Sequence, residues 1–275
     1  MKADGETKQG RGHPPPRSAM RIMRILRLAA LHPDGLNLTQ MAAELDVPKT
    51  SLHSLLRALL DESYLVQVGT YYRLGDEAYS LASMILSSTS FPDVAVPVMQ
   101  DLAKATGETI FISELSDDEP AAVYIARVES AHPIRMMASI GEKRPLYSSS
   151  GGRCLLAFQS AEWQANYLDV VDVVAHTDKT VTDKSRIRAM LREIRSSGVA
   201  RSNEDLHDEV SAFASPIFGA DGRIRAALII GAPTSRAEKR ASEFERLVRL
   251  HADKITKTIG GDPEVGMRPR GMDED

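Results

Sequence analysis

The sequence predicts an α+β chain in two parts, a winged helix-turn-helix joined by a linker helix to a larger domain with an antiparallel sheet. Three observations carry this. Residues 48–60, PKTSLHSLLRALL, place leucines on one helical face and only cations, hydroxyls and an imidazole on the other. Residues 64–74 follow as two β-prone runs about Gly69-Thr70. From about residue 91 to 260, apolar runs of strand length alternate with amphipathic helices across turn clusters, the pattern of an α+β domain.

Residues 1–17 are polar and broken by three prolines, and read as a disordered tail. A periodic helix over 18–31 turns Ile22, Ile25, Leu26 and Ala29 inward and ends at His32-Pro33-Asp34-Gly35. The next helix starts near Thr39, read as its N-cap, with Met41, Ala42 and Leu45 buried. After Asp46-Val47, Pro48 falls in the first turn of a third helix, where its missing N–H costs nothing. There Leu52, Leu55, Leu56 and Leu59 recur at i, i+3, i+4, i+7.

Lys49, Thr50, Ser51, His53, Ser54 and Arg57 share the other face of that helix. No carboxylate interrupts them, so the face suits phosphates and base edges and the helix reads as a recognition helix. Thr39 and Gln40, at the start of the preceding helix, join the candidate DNA-binding set. The hairpin over 64–74 makes the module, residues 18–74, winged; Thr70, Tyr71 and Arg73 near its tip are candidates for backbone or minor-groove contact. An ordinary core helix with a solvated face is the plain alternative, and it accounts for neither the turn nor the hairpin.

Residues 75–90 read as the linker helix, with Ala78, Leu81, Ala82 and Ile85 on one stripe and an end before Phe91-Pro92. Met84 and Leu86 are left to pack on a partner subunit or on their own domain. In the larger domain a helix over 98–105 stops at Gly107. Strands are expected at 109–115 and 121–128, around the acidic turn 117–120. Further strands are expected at 134–140, 212–218 and 223–230, and helices at 151–158, 183–197 and 235–259. Residues 261–275 are expected as a second disordered tail.

The length of 275 residues suffices for two cores, and 43% hydrophobic with 26% charged residues excludes bulk disorder. A net charge of −4 argues against coating nucleic acid, yet the charge is uneven. Over residues 8–57 the cations Lys8, Arg11, Arg17, Arg21, Arg24, Arg27, Lys49 and Arg57 face only Asp34, Glu44 and Asp46, as in a DNA-reading module on an acidic carrier. The single cysteine, Cys154, excludes an intramolecular disulfide and a multi-cysteine zinc site. With no apolar leader and no run of spanning length, the expected home is the cytoplasm, without membrane contact.

The loop Tyr147-Ser148-Ser149-Ser150-Gly151-Gly152-Arg153 precedes an apolar helix, so N–H groups, hydroxyls and one guanidinium converge at a helix N-terminus, a setting that suits a carboxylate. Helix capping by serine explains the same residues. Enzyme readings find no Gly-x-Ser-x-Gly elbow, phosphate loop, dinucleotide fingerprint or His-Glu-x-x-His. Cys154, inside an apolar helix start, reads as a structural thiol rather than a nucleophile. The run Glu204-Asp205-Leu206-His207-Asp208-Glu209 offers donors to a divalent metal, but such runs are more often solvated loops. His32, His132, His176 and His251 show no partner spacing. No catalytic residue, metal or cofactor is assigned.

In order, the stretches LNLTQMAAELDVPKTSLHSLLRALL, YYRLG, GETIFISEL, VYIARVES, IGEKRPLYSSSGGRCLLAF and ASPIFGADGRIRAALIIGAP resemble the IclR family of bacterial transcriptional regulators, from about residue 22 to 260. The resemblance implies a winged helix-turn-helix on double-stranded operator DNA and a GAF-like effector-binding domain over 91–260, assembled as a homodimer or dimer of dimers. It also implies a small-molecule pocket bordered by Met136, Tyr147, Ser149, Ser150, Gly151 and Gly152, with Ala212, Ile229 and Gly231 on the opposite wall. The chain departs from the family at Ser54, where an arginine is common. It departs again where the family often has glycine at Glu209, cysteine at Ala212 and serine near Ile229 or Gly231. Fewer polar pocket groups favour a larger or aromatic acid over a small oxoacid. The expected function is a ligand-responsive DNA-binding regulator, a repressor of a catabolic operon answering a small aromatic carboxylic acid. The alternative is a small-molecule sensor or enzyme whose helix-turn-helix no longer binds DNA.

Overall fold

The computed structural model describes residues 17–88 and 91–268. The expected N-terminal tail lies outside these residues except for Arg17, which opens helix α1 (Arg17–Leu31). Ile25 and Ala29 of α1 are buried, and Ile22 and Leu26 pack at the edge of the same core. A short strand, β1 (Leu36–Asn37), leads into α2 (Leu38–Leu45). The cap of α2 corrects the expectation at Thr39. Asn37 accepts from the N–H groups of Thr39 and Gln40, each at 3.0 Å, while Gln40 Oε1 accepts from Asn37 N–H at 2.9 Å. The two side chains satisfy three backbone donors that a Thr39 hydroxyl cannot reach from inside the helix. Asp46 closes α2 with φ 52°.

Pro48 stands just outside α3 (Lys49–Asp61), as its N-cap. Leu52, Leu56 and Leu59 are buried, and Leu55 is half-buried. Strands β2 (Leu65–Val68) and β3 (Tyr71–Leu74) form the hairpin, Val68 opposite Tyr71, with Gly69 at φ 63° in the first loop position, where a II′-type turn needs glycine. β1 pairs with the far side of β3, so the sheet order is β1-β3-β2. Helix α4 (Asp76–Ser88) follows. Of its expected stripe Ala78 is half-buried, whereas Leu81, Ala82 and Ile85 are exposed, as is Met84. Its backbone is tied to the module at its start, Glu77 N–H to Ser63 O at 3.2 Å, and later turns stay at the surface. The side chain of Leu86 lies outside the described residues.

Residues 91–268 form a second compact unit. Helix α5 (Phe91–Thr106) begins seven residues before the expected start, because Pro92 sits in its first turn and Ala95, Val98, Met99 and Leu102 make one buried face. β4 (Thr109–Leu115) and β5 (Ala121–Val128) occur as the sequence predicts. The expected strand at 134–140 does not form. Arg127 takes the Ala138 carbonyl and Glu142 takes the Ser139 N–H at 2.8 Å, so side chains satisfy backbone groups that a ladder would use. The strand there is β6 (Lys143–Pro145) instead.

Helices α6 (Ser150–Ala157), α7 (Ala161–Val170) and α8 (Lys184–Ser197) precede strands β7 (Ala200–Asn203), β8 (Val210–Phe218) and β9 (Ile224–Pro233). The single helix expected at 235–259 is split into α9 (Thr234–Ala237), a 3₁₀ turn at Glu238–Arg240, and α10 (Ala241–Thr258). Arg240 is drawn away at the break, donating to the carbonyls of Thr106 and Ala105 at the end of α5. In place of a tail from 261, α11 (Pro263–Met267) packs Met267 on the core; residues 269–275 lie outside the described set.

The antiparallel sheet runs β6-β5-β4-β9-β8-β7. One face packs on α5 and α10 through Phe213, Ile230, Phe244 and Leu102. The other carries Phe111, Tyr124, Ala212, Ala214, Ala227 and Ile229 under α6 and α8, and this face holds the candidate pocket. Among the described residues no helix is long and apolar enough to cross a membrane.

Candidate nucleic-acid interface and effector pocket

On α3 the side chains of Lys49, Thr50, Ser51, His53, Ser54 and Arg57 are all exposed. Lys49 Nζ donates to Thr39 Oγ1 at 2.9 Å and so ties α2 to the start of the recognition helix. Ser54 turns back on its own helix, donating to Ser51 O at 3.1 Å, and Gln40 is engaged in the cap. Thr50, Ser51, His53 and Arg57 present the open part of the face. In the wing, Arg73 Nε donates to Asp34 O at 3.0 Å, fixing the hairpin to the α1–β1 turn, while Thr70 and Tyr71 remain exposed at its tip. A helix whose backbone bonds are internal leaves its side chains free for a partner, and this face combines cations and hydroxyls as phosphate contact requires.

The loop before α6 is spent differently. Ser149 is the N-cap: its hydroxyl accepts from Gly152 N–H at 3.1 Å and donates to Pro145 O at 2.8 Å. Arg153 is buried and donates to Tyr147 O at 2.7 Å, Arg201 O at 3.1 Å and Asp205 Oδ1 at 2.6 Å. Capping and an internal ion pair therefore consume groups that the sequence offered to a carboxylate. Tyr147 is buried with its hydroxyl donating to Val174 O at 3.0 Å and 2.9 Å from His176 Nε2.

Other residues expected at the pocket do converge. A Cβ on Gly151 would lie 2.6 Å from Ile229 Cδ1 and 2.7 Å from Ser113 Oγ. One on Gly231 would run into Met136 Sδ and lie 3.2 Å from the Phe111 ring. Ala212 pairs with Gly231 across β8 and β9. Met136, Gly151, Ala212, Ile229 and Gly231 thus sit around one apolar face, beside Phe111 and Tyr124, whose rings are 4.8 Å apart. Ser150 is buried at the first turn of α6, and Gly152 backs onto Leu146 and Pro145 rather than the sheet.

Ser113 escaped sequence reasoning, and Ser148 entered it only as one of the hydroxyls of the loop before α6. The hydroxyls of Ser113 and Ser148 are buried and have no hydrogen-bond partner among the described residues. For Ser113 the sequence signal was a serine in the middle of the apolar strand TIFISEL. Burial pushes the Cys154 thiol far above its ordinary value, which leaves it un-ionised and inert. The acidic run is dispersed: Asp205 binds Arg153, Glu204 binds Lys179, and His207 meets Arg144. Among the described residues no group of three histidine, cysteine, aspartate or glutamate side chains is placed to hold a metal.

Residues 18–69 match the model of the IclR helix-turn-helix domain, and residues 83–257 that of the bacterial transcriptional regulator IclR C-terminal domain. The chain belongs to the IclR family. Among curated IclR-family relatives, the HTH-type transcriptional regulator KdgR of Escherichia coli is 28% identical over 228 residues, 82% of this chain and 86% of that protein. The transcriptional repressor IclR of the same organism is 27% identical over 247 residues, 89% and 90% of the two chains. A crystal structure described as an IclR transcriptional regulator from Silicibacter sp. TM1040 superposes with a TM-score of 0.78 at 25% identity, covering 89% of this chain and 98% of that one. This IclR-family chain is a DNA-binding transcriptional regulator rather than an enzyme.

Proposed function

We propose that the chain is a ligand-responsive repressor of a catabolic operon. In this reading the winged modules of a homodimer, or of a dimer of dimers, hold operator DNA. A small aromatic carboxylic acid enters the GAF-like C-terminal domain and changes that grip. The DNA arm rests on the exposed, cation-bearing face of α3. The effector arm is carried by one observation: the Ser113 hydroxyl, buried without a partner among the described residues, lies at the apolar sheet face where Gly151 brings α6 close, and a second such hydroxyl, Ser148, is buried in the loop before α6. Buried hydroxyls without partners are costly, and a polar ligand group relieves that cost. Met136, a flexible thioether on the strandless segment after β5, fills the space beside Gly231 and can be displaced. Apolar Ala212 and Ile229 with Phe111 and Tyr124 favour a ring over a small oxoacid.

The test is fluorescence anisotropy of the full chain on DNA from upstream of its own gene, at two salt concentrations, with aromatic and aliphatic acids. Specific binding that falls steeply with salt and is altered by an aromatic acid is expected. Tight response to glyoxylate or pyruvate with none to aromatic acids would overturn the aromatic assignment. Absence of binding to every upstream fragment would overturn the operator arm.

A further inference from the structure

This inference deepens the effector reading and rests on it. Strands β6 and β7 are the two outer strands of the sheet. At about 4.8 Å per strand, a flat sheet would hold its two edges roughly 20 Å or more apart. Yet Arg144 on β6 and His207 on the β7–β8 loop meet, Nη1 to Nε2, at 3.0 Å. The sheet is curled, and these two side chains form a clasp across its mouth.

The clasp holds a cation with incomplete partners. Arg144 Nη2 pairs with Glu142 at 2.6 Å, Nη1 meets the imidazole, the Tyr124 hydroxyl also hydrogen-bonds the guanidinium, and Nε is buried with no partner among the described residues. The side chain is 12% exposed and its guanidinium carbon lies 5.8 Å from the centre of the Tyr124 ring. A guanidinium can only donate, so His207 Nε2 accepts, and partial burial and the Arg144 cation push the imidazole below the ordinary histidine range. Arg144 also lines a cleft of about 450 Å³ with Tyr147, Tyr167, Pro145 and Val171, whose rim carries the carboxylates of Glu119 and Asp172. Lys143 at the same cleft is already paired with Asp118 and Glu119.

We propose that Arg144 reads the carboxylate of the aromatic effector, which displaces His207 from the guanidinium and opens the clasp between the sheet edges. A carboxylate brings the guanidinium a full opposite charge that a neutral imidazole lacks, so a carboxylate replaces the imidazole. Tyr124, under the guanidinium and 4.8 Å from Phe111, offers the ring a face on the same apolar side of the sheet.

Calorimetry of the full chain with benzoate and phenylacetate, against uncharged benzamide, tests this. Arg144→Gln is expected to raise the benzoate Kd at least about 10-fold while leaving benzamide unchanged. Arg144→Lys restores part of the loss, and His207→Ala, which removes the competing acceptor, tightens benzoate. An Arg144→Gln variant that binds benzoate as the wild type does, or that loses acid and amide alike, would overturn the assignment. If Gly151→Val abolishes acid binding while Arg144→Gln does not, the effector site stands and Arg144 is not its carboxylate reader. If no acid binds the wild-type chain and none alters DNA binding, both readings fall.

Discussion

The stretches PKTSLHS and YSSSGGR look alike as sequence, each a polar, cation-bearing run at the start of a helix, and the fold treats them in opposite ways. On α3 the polar side chains stand exposed. At α6 the loop is buried: Ser149 caps, Arg153 is locked to Asp205, and the glycines permit close packing. A helix start placed inside a domain must satisfy its unpaired N–H groups without water, so nearby polar groups go to the backbone. At the surface water does that work and the side chains remain available. Motif chemistry is therefore legible in sequence where the helix is exposed and misleading where it is buried.

The sharpest way to break this comparison is at the buried ion pair, where Arg153 is 1% and Asp205 7% exposed. Asp205→Ala leaves an uncompensated buried cation and is expected to cost about 3–5 kcal/mol, read as a lower urea midpoint. Lys49→Ala, on the exposed face, should stay within about 0.5 kcal/mol. Similar costs for the two would show that burial does not separate them.

The two glycines of the loop give the next largest effect. A Cβ on Gly152 would come within 2.6 Å of Leu146 Cα and of the Pro145 carbonyl oxygen, which are backbone atoms that cannot swing aside. Gly152→Ala is expected to cost about 1–3 kcal/mol. At Gly151 the nearest atom is the mobile tip of Ile229, so Gly151→Ala should cost less. Thermal melts of the two variants decide the order; the reverse order would mean that the sheet, not the loop, is the rigid wall.

The same distinction explains what could be read beforehand. Thr109–Leu115 and Ala121–Val128 are legible because β-prone, largely apolar runs flank an Asp-Glu-Pro turn. Residues 134–140 carry a similar run, but Arg127 and Glu142 take their backbone groups from a distance no local pattern encodes. Strand β7, Ala-Arg-Ser-Asn, has little strand propensity and exists through its pairing with β8. Helix α7 had a readable signal, Ser160 capping Trp163 N–H at 3.1 Å, with Trp163 and Tyr167 one turn apart. The set Met136, Gly151, Ala212, Ile229 and Gly231 came from family resemblance and converges, whereas Ser113 and Ser148 matter only because nothing in the fold bonds them, which a sequence cannot state.

On the exposed side the expected effects are on affinity rather than stability. Each of Lys49→Ala and Arg57→Ala should weaken operator binding across sequences and reduce the slope of log K against log salt by about 1. Anisotropy titrations at several salt concentrations measure that slope. An unchanged slope would mean that the α3 face does not meet phosphates, and the contrast with α6 would lose its functional half.

The smallest effect belongs to Lys143 and Asp118, an ion pair of the same chemistry as Arg153–Asp205 but in water. Hydrogen bonds from Lys143 first and Ser116 second hold the Asp118 carboxyl down to about 2 from 3.8. A folded value below the unfolded one means the pair stabilises above about 3.8 and that its contribution fades as pH falls through about 2. Because both partners are solvated, salt and solvent screen that contribution, and Asp118→Asn should leave the melting temperature at pH 7 unresolved from wild type. The titration itself should still be visible: an NMR midpoint near 2 for Asp118 that rises toward 3.8 in Lys143→Ala. A melting shift as large as that of Asp205→Ala would show that charge pairing, and not burial, governs how this domain uses its polar residues.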